Sequence, residues 1–156
     1  MDKIPERITS FSVDHDFITE GVYISRIDGD ITTFDMRTRI PNRGVYMDNL
    51  TMHSFEHMFA TFVRSSEIGK NVVYFGPMGC QTGFYLLVRD EEPKRVLNVI
   101  KKVLADIVAY DGEMFGNTRK ECGNYKNLDT YAAKLEARVY LEKLNAKNID
   151  FRYPEE

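Results

Sequence analysis

The sequence has little from which to build a disulfide-stapled or membrane-bound protein. Its two cysteines, Cys80 and Cys122, are too few for a disulfide framework. The longest run free of charge, residues 71–88, is interrupted by Gly76-Pro77, Gly79, Gln81, Thr82 and Gly83, so it reads as strand, turn and strand rather than as a membrane span. Positive charge is not in excess. The 21 Lys and Arg against 24 Asp and Glu leave a net charge of −3. The basic residues are scattered, which counts against nucleic acid or an anionic membrane as a partner. The charged start, Met1-Asp2-Lys3, has no apolar segment of the secretory kind behind it, so the cytoplasm, where thiols stay reduced, is the expected location. Repeats, low-complexity tracts and linkers are lacking too. What remains is a chain with 43% hydrophobic residues, enough for one domain over residues 1–156 with a sizeable core.

Two β-rich runs, residues 22–27 and 31–37, bracket Asp28-Gly29-Asp30, a hairpin signal. Residues 10–15 also alternate polar and apolar. Asp48 and Asn49 are good helix caps, and behind them Leu50, Phe55, Met58, Phe59, Phe62 and Val63 recur at helical spacing. Residues 71–75 and 83–88 predict two further strands about a Gly/Pro turn. Pro93 opens a second helix carried by Val96, Leu97, Ile100, Val103, Leu104 and Ile107, ending near Asp111-Gly112. A polar loop over residues 116–127 precedes a third helix with Leu128, Ala132, Leu135 and Val139, and the tail after Asn148 is expected to fray. The order predicts an α+β fold, an antiparallel sheet with helices packed on one face.

The chemically informative segment is His53-Ser54-Phe55-Glu56-His57. Histidines at i and i+4 lie one above the other on a helix and can point at one ion, with Glu56 beside them as a base rather than a ligand. The same spacing also arises where two histidines merely flank an apolar face. A catalytic metal site takes three protein ligands and keeps one position open. The third ligand comes from His15, Cys80, Cys122 or a carboxylate. Cys122 lies in a polar loop from which a thiolate can reach a helix, with Gly123 permitting close approach. Cys80 sits in the turn Pro77-Met78-Gly79-Cys80-Gln81-Thr82-Gly83, and its spacing alone reads as a small core residue.

Several segments together resemble the S-ribosylhomocysteine lyase (LuxS) family over roughly residues 8–128. They are Ser10-Phe11 with Asp14-His15, Phe34-Asp35-Met36-Arg37 with Pro41-Asn42, the His53 to His57 box, and Gly76 to Tyr85 with Glu121-Cys122-Gly123-Asn124-Tyr125. The resemblance implies a homodimer with active sites at the subunit interface. Each subunit would hold one divalent metal ion, Fe(II) in the native form, with Zn(II) or Co(II) as alternatives. It implies that His53, His57 and Cys122 bind the metal, that Cys80 and Glu56 are the catalytic acid/base pair, and that Ser10, His15 and Arg37 bind the substrate, with Ser10 and His15 reaching the site across the interface. The implied reaction moves a ribose carbonyl until the C5 thioether is β to it, then eliminates homocysteine, leaving 4,5-dihydroxy-2,3-pentanedione, an autoinducer precursor of the activated methyl cycle. Each shift removes a carbon-bound proton beside a carbonyl, for which a divalent ion supplies charge stabilisation and two bases are useful.

Two positions depart from the family pattern. Thr38 follows Arg37 where many members carry Phe, and Tyr74 stands where some carry Asp. For Arg37 the plain reading is a surface ion pair, with Arg39 on the same strand face as a substitute. Two rival functions share the metal motif: a His-x-x-Glu-His metallopeptidase, and a non-catalytic metal or redox-sensing module whose site a fourth protein ligand would close.

Overall fold

A computed structural model describes residues 3–155, so Met1 and Asp2 of the charged start and Glu156 lie outside the described residues. The hairpin forms as expected: β1 (Gly21–Asp28) and β2 (Ile31–Arg37) pair antiparallel about Gly29, whose φ of 62° suits a residue without a side chain. Next come α1 (Asn49–Arg64), β3 (Val72–Pro77), β4 (Gly83–Arg89), α2 (Pro93–Ala109) and α3 (Thr130–Asn145). The four strands make one antiparallel sheet in the order β1-β2-β4-β3. An extra residue interrupts the register at Ser25 in β1 and at Val73 in β3.

Alternation sorts the sheet into two faces. Val22, Phe34, Met36, Phe84, Leu86 and Val88 point to the helices and are buried there with Phe55, Met58, Phe59, Val96, Ile100, Leu104 and Tyr140. α1 lies against β3, and α2 and α3 pack on α1 and on each other. Phe55, Phe59, Phe75 and Phe84 form a stacked group, with centroids 4.7 Å apart for Phe55–Phe84 and 4.5 Å for Phe59–Phe75. Such pairs add about 0.5–1.5 kcal/mol each beyond area burial. This cluster fixes α1, and α1 carries the histidines.

The other face bears Tyr23, Asp35, Arg37 and Tyr85, and two expectations fail there. Residues 10–15 do not form a strand. Thr9–Phe11 is a short 3-10 turn, and Asp16 donates its amide to the Asp14 carboxylate at 3.0 Å, a local bond that competes with strand pairing. The tail does not fray. Ile24 donates its amide to the Phe151 carbonyl at 2.8 Å, Tyr153 stacks on Tyr23 at 4.9 Å, and the Tyr153 hydroxyl donates to Asp35 Oδ2 at 2.7 Å. Two aromatic residues therefore anchor it to β1 and β2.

Candidate metal centre

α1 starts where Asp48 accepts a bond from the Thr51 amide at 2.8 Å, and that cap sets the phase of the helix. One and two turns on, His53 and His57 present their rings edge to face at 4.6 Å. Each Nδ1 lies 2.8 Å from a loop carbonyl, His53 from Asn127 O and His57 from Phe115 O. A carbonyl can only accept, so each Nδ1 carries the proton and each Nε2 keeps a free lone pair. Both Nε2 atoms face Cys122 Sγ, at 3.4 Å from His53 and 3.7 Å from His57. Ligands on a tetrahedral ion with bonds of about 2.05 Å to nitrogen and 2.3 Å to sulfur stand about 3.5 Å apart, so the donor set fits one ion. Among the described residues these three form a metal-competent cluster, the donor number that in catalytic sites leaves a fourth position for water or substrate.

The loop over residues 112–129 is shaped for this purpose. Gly116 has φ 65°, and a Cβ there would stand 3.1 Å from His57 Nδ1, so glycine lets the Phe115 carbonyl reach the ring. The Cys122 amide bonds Thr118 O at 3.1 Å, and the Asn124 amide points at Cys122 Sγ from 3.4 Å. Buried Ser54 takes the Asp129 amide at 2.8 Å, tying the loop to α1. Glu56 is half-buried and lines a hollow with His53, Asn49, Met52, Pro77, Asn124 and Asn127.

Ser10, His15, Arg37 and Cys80 are not among the residues lining that hollow. Arg37 is buried, its Nε 3.1 Å from Asp35 Oδ1 and its Nη2 2.6 Å from Asp35 Oδ2, while Nη1 donates to Thr82 Oγ1 at 2.9 Å. The surface ion pair expected for Arg37 is thus a buried bidentate one, because Asp35 two residues back shares its face of β2. Burial works against the Arg37 charge, but Asp35, with smaller help from Cys80 and Tyr153, outweighs it and holds the pKa above its ordinary value. Arg39 lies past the end of β2 and pairs instead with Glu136. Cys80 is exposed, not a core residue, since the turn after Pro77 swings it outward; its Sγ lies 3.0 Å from Thr82 Oγ1. Ser10 lines a hollow on the outer sheet face with Tyr85, whose pKa burial raises, followed by the charge of Asp35. His15 is half-buried, with Nδ1 2.9 Å from Val13 O.

Sequence reasoning missed the backbone carbonyls of Phe115 and Asn127, which carry no side-chain signal, and the bracing groups Asp35, Thr82 and Tyr153. The i, i+2 spacing of Asp35 and Arg37 could have flagged the first.

Comparison with known proteins adds an independent line. A family profile described as S-Ribosylhomocysteinase (LuxS) matches residues 8–150. The S-ribosylhomocysteine lyase of Finegoldia magna is 41% identical over 155 residues, covering 96% of this chain and 99% of that one. That of Borreliella afzelii is 39% identical over 156 residues, with the same coverage, and that of Desulfotalea psychrophila is 38% identical over 156 residues, covering 94% and 98%.

Proposed function

Because the chain belongs to the S-ribosylhomocysteinase (LuxS) family, we propose that it acts as one catalytic domain, a metal-dependent carbon–sulfur lyase. It cleaves the thioether of S-ribosylhomocysteine to homocysteine and 4,5-dihydroxy-2,3-pentanedione. The observation that carries the reading in this chain is the His53, His57, Cys122 cluster, three donors with an open position, beside Glu56. Neither rival is favoured. A closed metal module needs a fourth donor, whereas the cluster among the described residues has three, and the similar proteins are lyases rather than peptidases.

A divalent ion held by His53, His57 and Cys122 supplies Lewis acidity where negative charge builds beside the carbonyl; Fe(II) is the proposed native ion, and Zn(II) and Co(II) suit the same donors. The loop carbonyls keep both histidines aimed without help from the substrate. Glu56 accepts and returns protons on the helix side of the sugar, and Cys80, as thiolate, does so on the other. The polar groups of Ser10, His15 and Arg37 hold the ribose portion. Their separation from the hollow around Glu56 and the exposure of Ile8 and Phe11 beside Ser10 support a homodimer, with the N-terminal segment of one subunit completing the site of the other. The substrate is a small metabolite, and the proposed location is the cytoplasm; among the described residues no helix is long and apolar enough to cross a membrane.

The test is anaerobic incubation of the iron- or cobalt-loaded protein with S-ribosylhomocysteine, following free homocysteine with a chromogenic disulfide. Release should fall at least ~100-fold in Glu56→Gln and in Cys80→Ala with bound metal unchanged. No release from folded, metal-loaded wild type would overturn the lyase reading, and unaltered release from either variant would remove that residue from the acid/base pair.

A further inference from the structure

A line of hydrogen bonds ends at the Cys80 sulfur. The Tyr153 hydroxyl donates to Asp35 Oδ2 at 2.7 Å, and Asp35 grips the Arg37 guanidinium at 2.6 and 3.1 Å. Arg37 Nη1 donates to Thr82 Oγ1 at 2.9 Å, and Thr82 Oγ1 stands 3.0 Å from Cys80 Sγ. The directions are fixed by chemistry. Arg37 can only donate, so the Thr82 oxygen accepts from it and the hydroxyl proton is free for the sulfur, which as a thiolate can only accept. Thr82, Arg37 and Asp35 are all nearly inaccessible, at 2%, 3% and 1%, so the line is screened little by solvent up to the exposed Cys80 at its end.

We propose that Thr82 is a positioning residue for Cys80, passing the Arg37 charge to the sulfur through its hydroxyl proton, and that Tyr153 braces the far end of the same chain. The proposal rests on the reading of Cys80 as an acid/base residue and adds what donates to its sulfur and aims it. Burial, with Asp35 next, keeps the Tyr153 hydroxyl well above its ordinary pKa, so it stays a neutral donor throughout the working pH range. The titratable and charged groups facing Cys80 are Arg37 of β2, with Asp35 behind it, and Tyr85 of β4; Tyr153 of the tail faces Asp35 and Arg37.

The experiment uses the metal-loaded protein and measures the rate of Cys80 alkylation by iodoacetamide against pH. Modification is read on the Cys80 peptide by mass spectrometry, so that Cys122 is counted separately, alongside kcat and KM for homocysteine release. Loss of one bond to a charged sulfur should raise the alkylation midpoint of Thr82→Val by about one unit. It should lower kcat at neutral pH, by at most about tenfold, and leave KM within about twofold. Thr82→Ser, which keeps the hydroxyl, should stay close to wild type. Tyr153→Phe should raise the midpoint by a smaller amount, about half a unit, and it carries the test if Thr82→Val does not fold. An unchanged midpoint in folded Thr82→Val, or failure of serine to rescue it, overturns the role of Thr82. An unchanged midpoint in Tyr153→Phe overturns the brace. Full lyase activity after complete alkylation of Cys80 is a different result, because it removes the acid/base reading itself.

Discussion

A methyl group at position 116 would press on His57 Nδ1 and force a left-handed φ on a residue with a side chain. Gly116→Ala should therefore shift the Phe115 carbonyl and weaken metal binding about 10–100-fold, the usual effect of losing a ligand's outer partner. Competition with a chelating indicator measures it. Asp35→Ala should cost about 3–5 kcal/mol in urea unfolding, since it strands a buried guanidinium. The three clustered donors were legible because His53 and His57 show helical spacing and the loop residue Cys122 is one of only two thiols. The Arg37 network was less so. Thr82 lies 45 residues away and Tyr153 lies 118 residues beyond Asp35, distances at which no periodicity links them.

Among the elements, α1 depends most on its cap. Asp48 is held below its ordinary carboxylate pKa by the Thr51 hydroxyl and amide. A lowered native pKa means that the bonded, ionised form stabilises the fold above the unfolded value, and this benefit is lost as pH falls through the native one. Asp48→Ala should thus cost about 1 kcal/mol at neutral pH, and the gap between its melting point and that of wild type should begin to close only as pH falls below about 4. Thermal unfolding over pH 3–7 checks both. The strands and helices could be read from alternation, caps and Pro93, since local propensity and burial agree there. At residues 10–15 and at the tail they do not. A short alternating run without a neighbouring strand curls into a turn, and a polar tail holding Phe151 and Tyr153 finds an aromatic seat that composition does not advertise.

For the whole molecule, the proposed dimer makes a sharp demand. If Ser10 of one subunit serves the metal centre of the other, mixing inactive Ser10→Ala and Glu56→Gln proteins after dissociation should restore about a quarter of wild-type activity. Half of the randomly formed dimers would be mixed, each with one intact site of two. No recovery would assign Ser10 to the site of its own subunit. The helix-covered side of the sheet was predictable from the hydrophobic pattern. The partner of the other side was not, because Tyr23, Tyr85 and Tyr74 suit water, substrate or protein equally well.

The bridge from Phe151 to β1 also bears on how the protein behaves when concentrated. A sheet invites further strands wherever an edge shows unpaired amides and carbonyls. Here the tail occupies one edge at Tyr23 and Ile24, and the extra residue at Val73 puts the other out of step. Neither border offers a long straight template, so stocks should keep without fibril growth, and cutting away the tail would open a route to aggregation.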